Sequence, residues 1–397
     1  MKYGAARRCF NFEDKRFLTH WIFLTLLTFL IVLPIFCYRL RFSFYSLILR
    51  QSKPEGRRIL TEENNERLNF SDEFIKKLQI KNKLESGVKI DVGISIISVS
   101  RNRHSFDEYE PRYLSQVVAY FLDQLQNSSK LQLTYKLFIC NVDEEPSTFN
   151  EALKLSRIIP TFNRFPNTSK TQRRTITLTL EKEKEDYVYC GEQTLRQNVS
   201  YVFLVEDDAL PHRDLFTVLD HLLTKQKHKM NATYVKFYHP DRLLGYISFE
   251  LERIPELIGI SIMMAALFVS LYQKLRPTNN INQSVLWMAS IIYFVLVFLA
   301  IGRQNLIELR RISKYLYQVT PAPSCCTPAN LYTRHGMRQI VDYLKSIQCY
   351  SKFGKDTAID TFRKENKLSA LMVQPNLFQH IGMYSSLRDN ILNPFIV

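Results

Sequence analysis

A chain of 397 residues with 46% hydrophobic residues, 11 Gly and 15 Pro can fill one large domain or two smaller ones, and it lacks the Gly and Pro of a fibrous or disordered protein. Its formal charge of +15 is spread along the whole sequence, with no zinc-finger spacing and no basic helix carrying interleaved aromatics, which excludes nucleic acid as the expected partner. The apolar residues gather in three blocks, so charge beside membrane segments and phosphate-bearing substrates better explain the basic balance.

The first block, Trp21 to Tyr38, carries no charge and suits one bilayer span. Arg7, Arg8, Lys15 and Arg16 precede it, and bulky Phe36, Tyr38 and Leu40 stand where a cleavage site would need small residues. The expectation is an uncleaved signal anchor at 21–38, a cytosolic tail at 1–20 and a lumenal stem at 39–90, although Arg39 and Arg41 pull against that orientation. The second block runs from about Leu257 to Gln273 and the third from about Val285 to Gly302. A short linker holding Lys274 and Arg276 joins them, which predicts a tandem transmembrane hairpin over 257–302. Residues 91–256 and 303–397 are then two lumenal parts of one interrupted domain.

Sequons begin at Asn69, Asn127, Asn167, Asn198 and Asn231, all in sequence read as lumenal. Of seven Cys, five fall there as well. Cys140 and Cys190 are a candidate pair. Cys325, Cys326 and Cys349 allow one bond and one spare thiol, with the connectivity open.

In the first part of the interrupted domain, Val92 to Ser100 (VGISIISVS) reads as a buried strand that ends in polar Arg101-Asn102-Arg103. Arg112 to Gln126 has helical spacing. Tyr135 to Val142 reads as a strand running into Asp143-Glu144-Glu145, Glu181 to Gln197 as a helix, and Tyr201 to Val205 (YVFLV) as a strand running into Glu206-Asp207-Asp208. After the hairpin come a Cys-Cys-Thr-Pro turn, a helix near His335 to Ile347, a turn at 352–356, another helix and a strand from Ala370 to Val373. This alternation predicts an α/β domain with a mostly parallel sheet, whose ligands bind at the carboxyl ends of strands.

Glu206-Asp207-Asp208 sits at such an end. Alternation along the strand places Glu206 and Asp208 on one side, where two carboxylates can hold a hard divalent cation against a diphosphate. His380, in PNLFQHIG, is a candidate third ligand. Asp356 follows a Gly in a basic turn at the head of a helix. It reads either as a helix N-cap or as a general base for an acceptor hydroxyl. Lys352 and Lys355 beside it either attract phosphates or form a solvated loop.

These motifs jointly resemble the Golgi post-GPI-attachment-to-proteins N-acetylgalactosaminyltransferase family. The stretches that carry the resemblance are EKEKEDYVYC (181–190), VEDDA (205–209), VKFYHPDRL (235–243), SCCTPANL (324–331), FGKDTA (353–358) and QPNLFQHIGMYSSL (374–387). It covers nearly the whole chain beyond the stem. It implies a GT-A-type fold split by the hairpin, and inverting transfer of GalNAc from UDP-GalNAc to the core mannose of a GPI-anchor glycan during GPI-anchor maturation. It implies Mn²⁺ as cofactor and, as partners, a UDP-sugar, GPI-anchored proteins met through their glycan, and Golgi membrane lipid. On the same basis Val99 and its neighbour Arg101 lie where the uridine end sits. Glu206, Asp207 and Asp208 match the donor and metal motif, and Cys325, Cys326 and Thr327 match a loop near the donor sugar. Ser100 departs from the acidic residue expected in relatives. Asp208 and His380 are the expected metal ligands with Glu206 in support, and Asp356 the expected base. Two alternatives stand beside this: an N-acetylglucosaminyltransferase of N-glycans, which a similar HIG…SSL tail suggests, and a non-catalytic GPI-glycan-binding membrane protein.

Overall fold

The computed structural model describes residues 12–49, 53–80, 89–101, 109–128, 130–165, 179–248, 251–275 and 282–384. Arg7, Arg8, Asn102, Arg103, the sequon at Asn167, Arg276 and the 385–387 end of the last motif lie outside them. Two units share the chain: residues to Arg57 with Asp241–Leu309, and Arg58–Pro240 with the chain from Arg310 onward.

Among the described residues the second unit carries ten strands: β1 (Val92–Ser98), β2 (Tyr135–Asn141), β3 (Thr161–Asn163), β4 (Tyr201–Glu206), β5 (Ala209–Pro211), β6 (Tyr234–Lys236), β7 (Gln318–Pro321), β8 (Ala329–Thr333), β9 (Ala370–Gln374) and β10 (Phe378–His380). Eight of them form one sheet in the order β3-β2-β1-β4-β8-β6-β9-β7, and β5 pairs with β10 in a small ribbon. From β3 to β4 every pairing is parallel. β8 then runs antiparallel between β4 and β6, and β7 antiparallel along β9. The sheet is therefore mixed, and the mostly parallel expectation holds only for its first half. The cause is connectivity: β8 enters the sheet after the long insertion, from the opposite direction.

Residues 92–98 form a strand because both faces are covered: Val92, Ile94 and Ile96 are fully buried on one side, with Gly93 and Ser95 buried on the other. The helix Tyr113–Asn127 buries Tyr113, Leu114, Val117, Val118 and Phe121, a spacing of three to four residues that forms one stripe against the core. Cys140 and Cys190 are bonded and tie β2 to the helix Thr179–Arg196. The stretch read as a stem contains a long helix, Lys53–Ile80, and its residues from Arg58 on belong to this unit. Leu60 and Leu68 are buried, Arg67 Nε donates to Gln116 Oε1 at 2.8 Å, and Gln116 Nε2 donates to Asn64 Oδ1 at 2.9 Å.

In the first unit three helices are long and apolar enough to cross a membrane: Thr19–Cys37, Ile254–Leu275 and Gln283–Ile301. They match the three predicted blocks and pack on one another. The Trp21 ring meets Phe268 and Tyr293 edge-on, and Thr28 Oγ1 lies 2.8 Å from Tyr293 Oη. Arg303, just past the third helix, donates from Nε to Glu256 Oε2 at 2.8 Å and so joins the two roots of the hairpin. Gly302 has φ 86°, and a Cβ there would lie 2.3 Å from the Phe42 carbonyl oxygen, so only glycine makes this turn.

Candidate active site

The carboxyl ends of β1, β2 and β4 and the start of β8 converge at one edge of the sheet. Glu206 N donates to Pro328 O at 2.8 Å, which brings the 325–328 loop beside the acidic triplet. The three acidic side chains then part company. Asp207 is buried, and its Oδ2 accepts from Ser98 Oγ at 2.8 Å and from Val99 N at 3.4 Å. Burial holds its carboxyl above the usual range, and Arg101 offsets part of that rise. Arg101 Nη2 reaches Asp207 Oδ1 at 2.6 Å and Asp208 Oδ2 at 3.2 Å, and its Nη1 donates to Tyr384 O. A guanidinium is thus fixed between the two aspartates.

Asp208 lies in the turn after β4. Ile381 N donates to its backbone carbonyl at 2.9 Å, and His380 Nε2 lies 3.5 Å from its Oδ2. Burial alone would raise the Asp208 carboxyl, but His380 and then Arg101 outweigh it and hold it below its ordinary value. Asp208 Oδ1 and His380 Nδ1 are buried with no hydrogen-bond partner. A carboxylate and an imidazole this close together, with Nε2 3.5 Å from Oδ2, are of the ligand types that a divalent cation takes. Among the described residues no group of three or more His, Cys, Asp and Glu converges. Glu206, the carboxylate expected in support of these ligands, is engaged elsewhere: its Oε1 accepts from Lys355 Nζ at 3.1 Å.

In the basic turn Lys352 is exposed, as a solvated loop would have it, but Lys355 is not. It is buried rather than solvated, and its ammonium is held by Glu183 and Glu206, with Asp356 Oδ1 at 3.8 Å. Asp356 is not the helix cap, since Gly354 occupies that position in Lys355–Glu365. Its Oδ1 instead accepts from Thr327 Oγ1 at 2.6 Å, and its side chain is 36% exposed. The candidate base and the candidate donor-sugar loop are therefore in contact.

In that loop Cys325 and Cys326 are bonded to each other, and Cys349 is a buried free thiol. Cys325 and Cys326 have φ of 85° and 66°, a conformation that costs non-glycine residues energy. The buried Lys236 stabilises it by donating to Pro323 O at 2.9 Å and to Cys325 O. At the other side of the site, Ser100 N donates to Asp143 Oδ2 at 2.9 Å, which joins the tails of β1 and β2. Beneath Asp356 the hydroxyls of Tyr187 and Tyr332 lie 2.7 Å apart.

Sequence reasoning missed the Arg101 clamp, the Lys355–Glu183–Glu206 cluster, Lys236 under the disulfide, and Gly382. A Cβ on Gly382 would lie 2.3 Å from Asp208 Oδ2. The adjacency of Gly382 to the candidate ligand His380 was the one hint in the sequence that the backbone comes so close here.

Residues 92–379 match the model of the family described as GPI-N-acetylgalactosamine transferase PGAP4. The chain belongs to that family. The matched span opens with β1, runs through the acidic turn, the hairpin, the vicinal cysteines and Asp356, and ends at Gln379, one residue before His380. The match thus covers β1 to β9 and the candidate site up to β10, and the family's class is that of a GPI-glycan transferase.

Proposed function

We propose that the protein transfers GalNAc from UDP-GalNAc, with inversion and with a divalent cation such as Mn²⁺, to the core mannose of a GPI-anchor glycan in the Golgi lumen. The observation that carries this reading is the Asp208–His380 pair, two buried ligand groups with unpartnered atoms at the carboxyl end of a strand. Asp208 and His380 are the residues that would hold the cation. When bound, it would offset the charge that builds on the departing diphosphate.

The chain's own residues supply the rest. Arg101, fixed by Asp207, keeps positive charge beside the leaving group. Val99 and Arg101 border the uridine end of the donor. Thr327 holds the Asp356 carboxylate, and Asp356 takes the proton from the attacking mannose hydroxyl. Glu206 is tied to Lys355 and, in this reading, supports the base side of the cleft more than the cation.

The test is release of UDP by purified full-length protein with UDP-GalNAc, UDP-GlcNAc or neither, with a GPI glycan acceptor, and with Mn²⁺ or a chelator. The expected result is acceptor-dependent release from UDP-GalNAc that the chelator abolishes. Asp208→Ala and His380→Ala should each lose most of it in matched amounts of folded protein. No release from any donor would favour a glycan-binding protein, and near-parent rates in both variants would remove the cation from this site.

A further inference from the structure

The chain does not turn uniformly polar after its last apolar helix. Past Gln283–Ile301 lie the short helix Arg303–Ile307 and two single turns, Glu308–Ile312 and Lys314–Leu316. Within residues 310–316, Ile312 is 81% exposed, Tyr315 68% and Leu316 49%. Arg310, Arg311 and Lys314 alternate with them.

This apolar tip stands on a fixed base. Tyr317, immediately after it, is buried, and its hydroxyl donates to Asp214 Oδ2 at 2.9 Å. Arg311 donates to Asn376 O at 2.6 Å and to Tyr317 Oη at 3.1 Å. Ser313 accepts from Tyr315 N and holds the turn between the two. Large apolar groups held outward by an ordered base, among basic residues, have the composition of an interfacial membrane anchor. The chain also has the reach. At helical rises of roughly 1.5 to 2 Å per residue, Ile312 stays within about 25 Å of the end of the apolar helix at Ile301.

We propose that residues 310–316 dock on the bilayer: Ile312, Tyr315 and Leu316 enter the headgroup and upper acyl region, and Lys314 faces the headgroup phosphates. The proposal rests on reading the three apolar helices as membrane spans. Its consequence is a second, shallow attachment of the catalytic unit beside the surface from which a lipid-held acceptor projects.

The experiment uses the full chain in vesicles of mixed phosphatidylcholine and phosphatidylserine. Ile312→Cys carries a spin label, and Arg213→Cys, at an 86% exposed side chain, serves as the aqueous reference. Collisions with oxygen and with a water-soluble nickel chelate report immersion. The expected oxygen-to-nickel ratio at position 312 is several times that at 213. A second variant, Ile312→Asp with Tyr315→Asp, should lose transfer to membrane-held GPI several-fold and keep transfer to a soluble glycan fragment. Equal ratios at 312 and 213 in protein that floats with carbonate-washed vesicles would overturn the docking proposal alone. Protein that does not float would overturn the span reading and the proposal with it.

Discussion

Gly382→Ala places one methyl group against the candidate cation site. Its carbon would lie 2.3 Å from Asp208 Oδ2, 2.9 Å from Cγ and 3.0 Å from Cβ. An ordinary carbon–oxygen contact is about 3.3 Å or longer, so one group must move by about 1 Å. The backbone cannot easily supply this, because Ile381 N is bonded to Asp208 O at 2.9 Å and couples the two stretches. The carboxylate gives way instead, and leaves His380 and Arg101. A misplacement of about 1 Å in a catalytic constellation costs on the order of 10²-fold in rate, or about 2.7 kcal/mol of transition-state stabilisation. Initial rates of UDP release and of GalNAc transfer, in protein matched by thermal midpoint, should show this loss. Adding Gly382→Ala to Asp208→Ala should cost little more, because both act through the same carboxylate. A Gly382→Ala enzyme within about threefold of the parent, far short of the 10²-fold expected, would refute the argument if Asp208 itself proved essential.

Asp356→Asn should abolish transfer while UDP-GalNAc binding, followed by calorimetry, persists; lost donor binding would move the residue to the nucleotide site. Thr327→Val removes the hydroxyl that fixes Asp356 and should lower kcat by roughly threefold to tenfold with little change in donor affinity, a modest loss because this hydrogen bond is partly exposed. Replacing both Cys140 and Cys190 by Ala opens a loop with a sequence separation of 50 and should lower unfolding free energy by about 4 kcal/mol, read by denaturant titration under oxidising conditions. Burial raises the Glu151 carboxyl to about 7 from 4.5, against the pull of Ser115. The folded state therefore binds this proton more tightly: its stabilising contribution is complete below pH 4.5 and is lost as pH rises to 7, by about 3 kcal/mol. Glu151→Gln should then be more stable than the parent at pH 8 and lose that advantage at pH 4.5; an equal difference at both values in thermal melts would contradict it.

The long elements were legible because their patterns are local. β1, β2 and β4 each combine an unbroken apolar run with a polar tail, and the predicted helices carry apolar residues at a spacing of three to four. The strands that close the site were not legible. β6 and β10 have three residues each, and β8 is a five-residue ANLYT in which Asn330 is fully buried. Their identity depends on neighbours far along the chain. Lys355 shows the same limit at the site. Its sequence context is a basic turn, and its fate is decided by Glu183 and Glu206, which are 172 and 149 positions away. By contrast, Asp208 and Asp356 were singled out because each sits at the end of a recognisable element, and His380 because a carboxylate pair calls for a third ligand.

β8 has a consequence for how the protein comes into being. It lies between β4 and β6 in the sheet, yet it is made only after the apolar hairpin has left the ribosome. Until then β4 has one open edge, and β6 has neither of its partners, β8 and β9. The first half of the catalytic unit must wait, with exposed backbone donors and acceptors, for a strand that arrives on the far side of two apolar helices. A substitution such as Gly302→Ala, at a residue with no proposed part in catalysis, can thus be read out as an unfinished sheet and a chain retained by quality control. In this protein the fate of the hairpin during synthesis and the competence of the enzyme are one event.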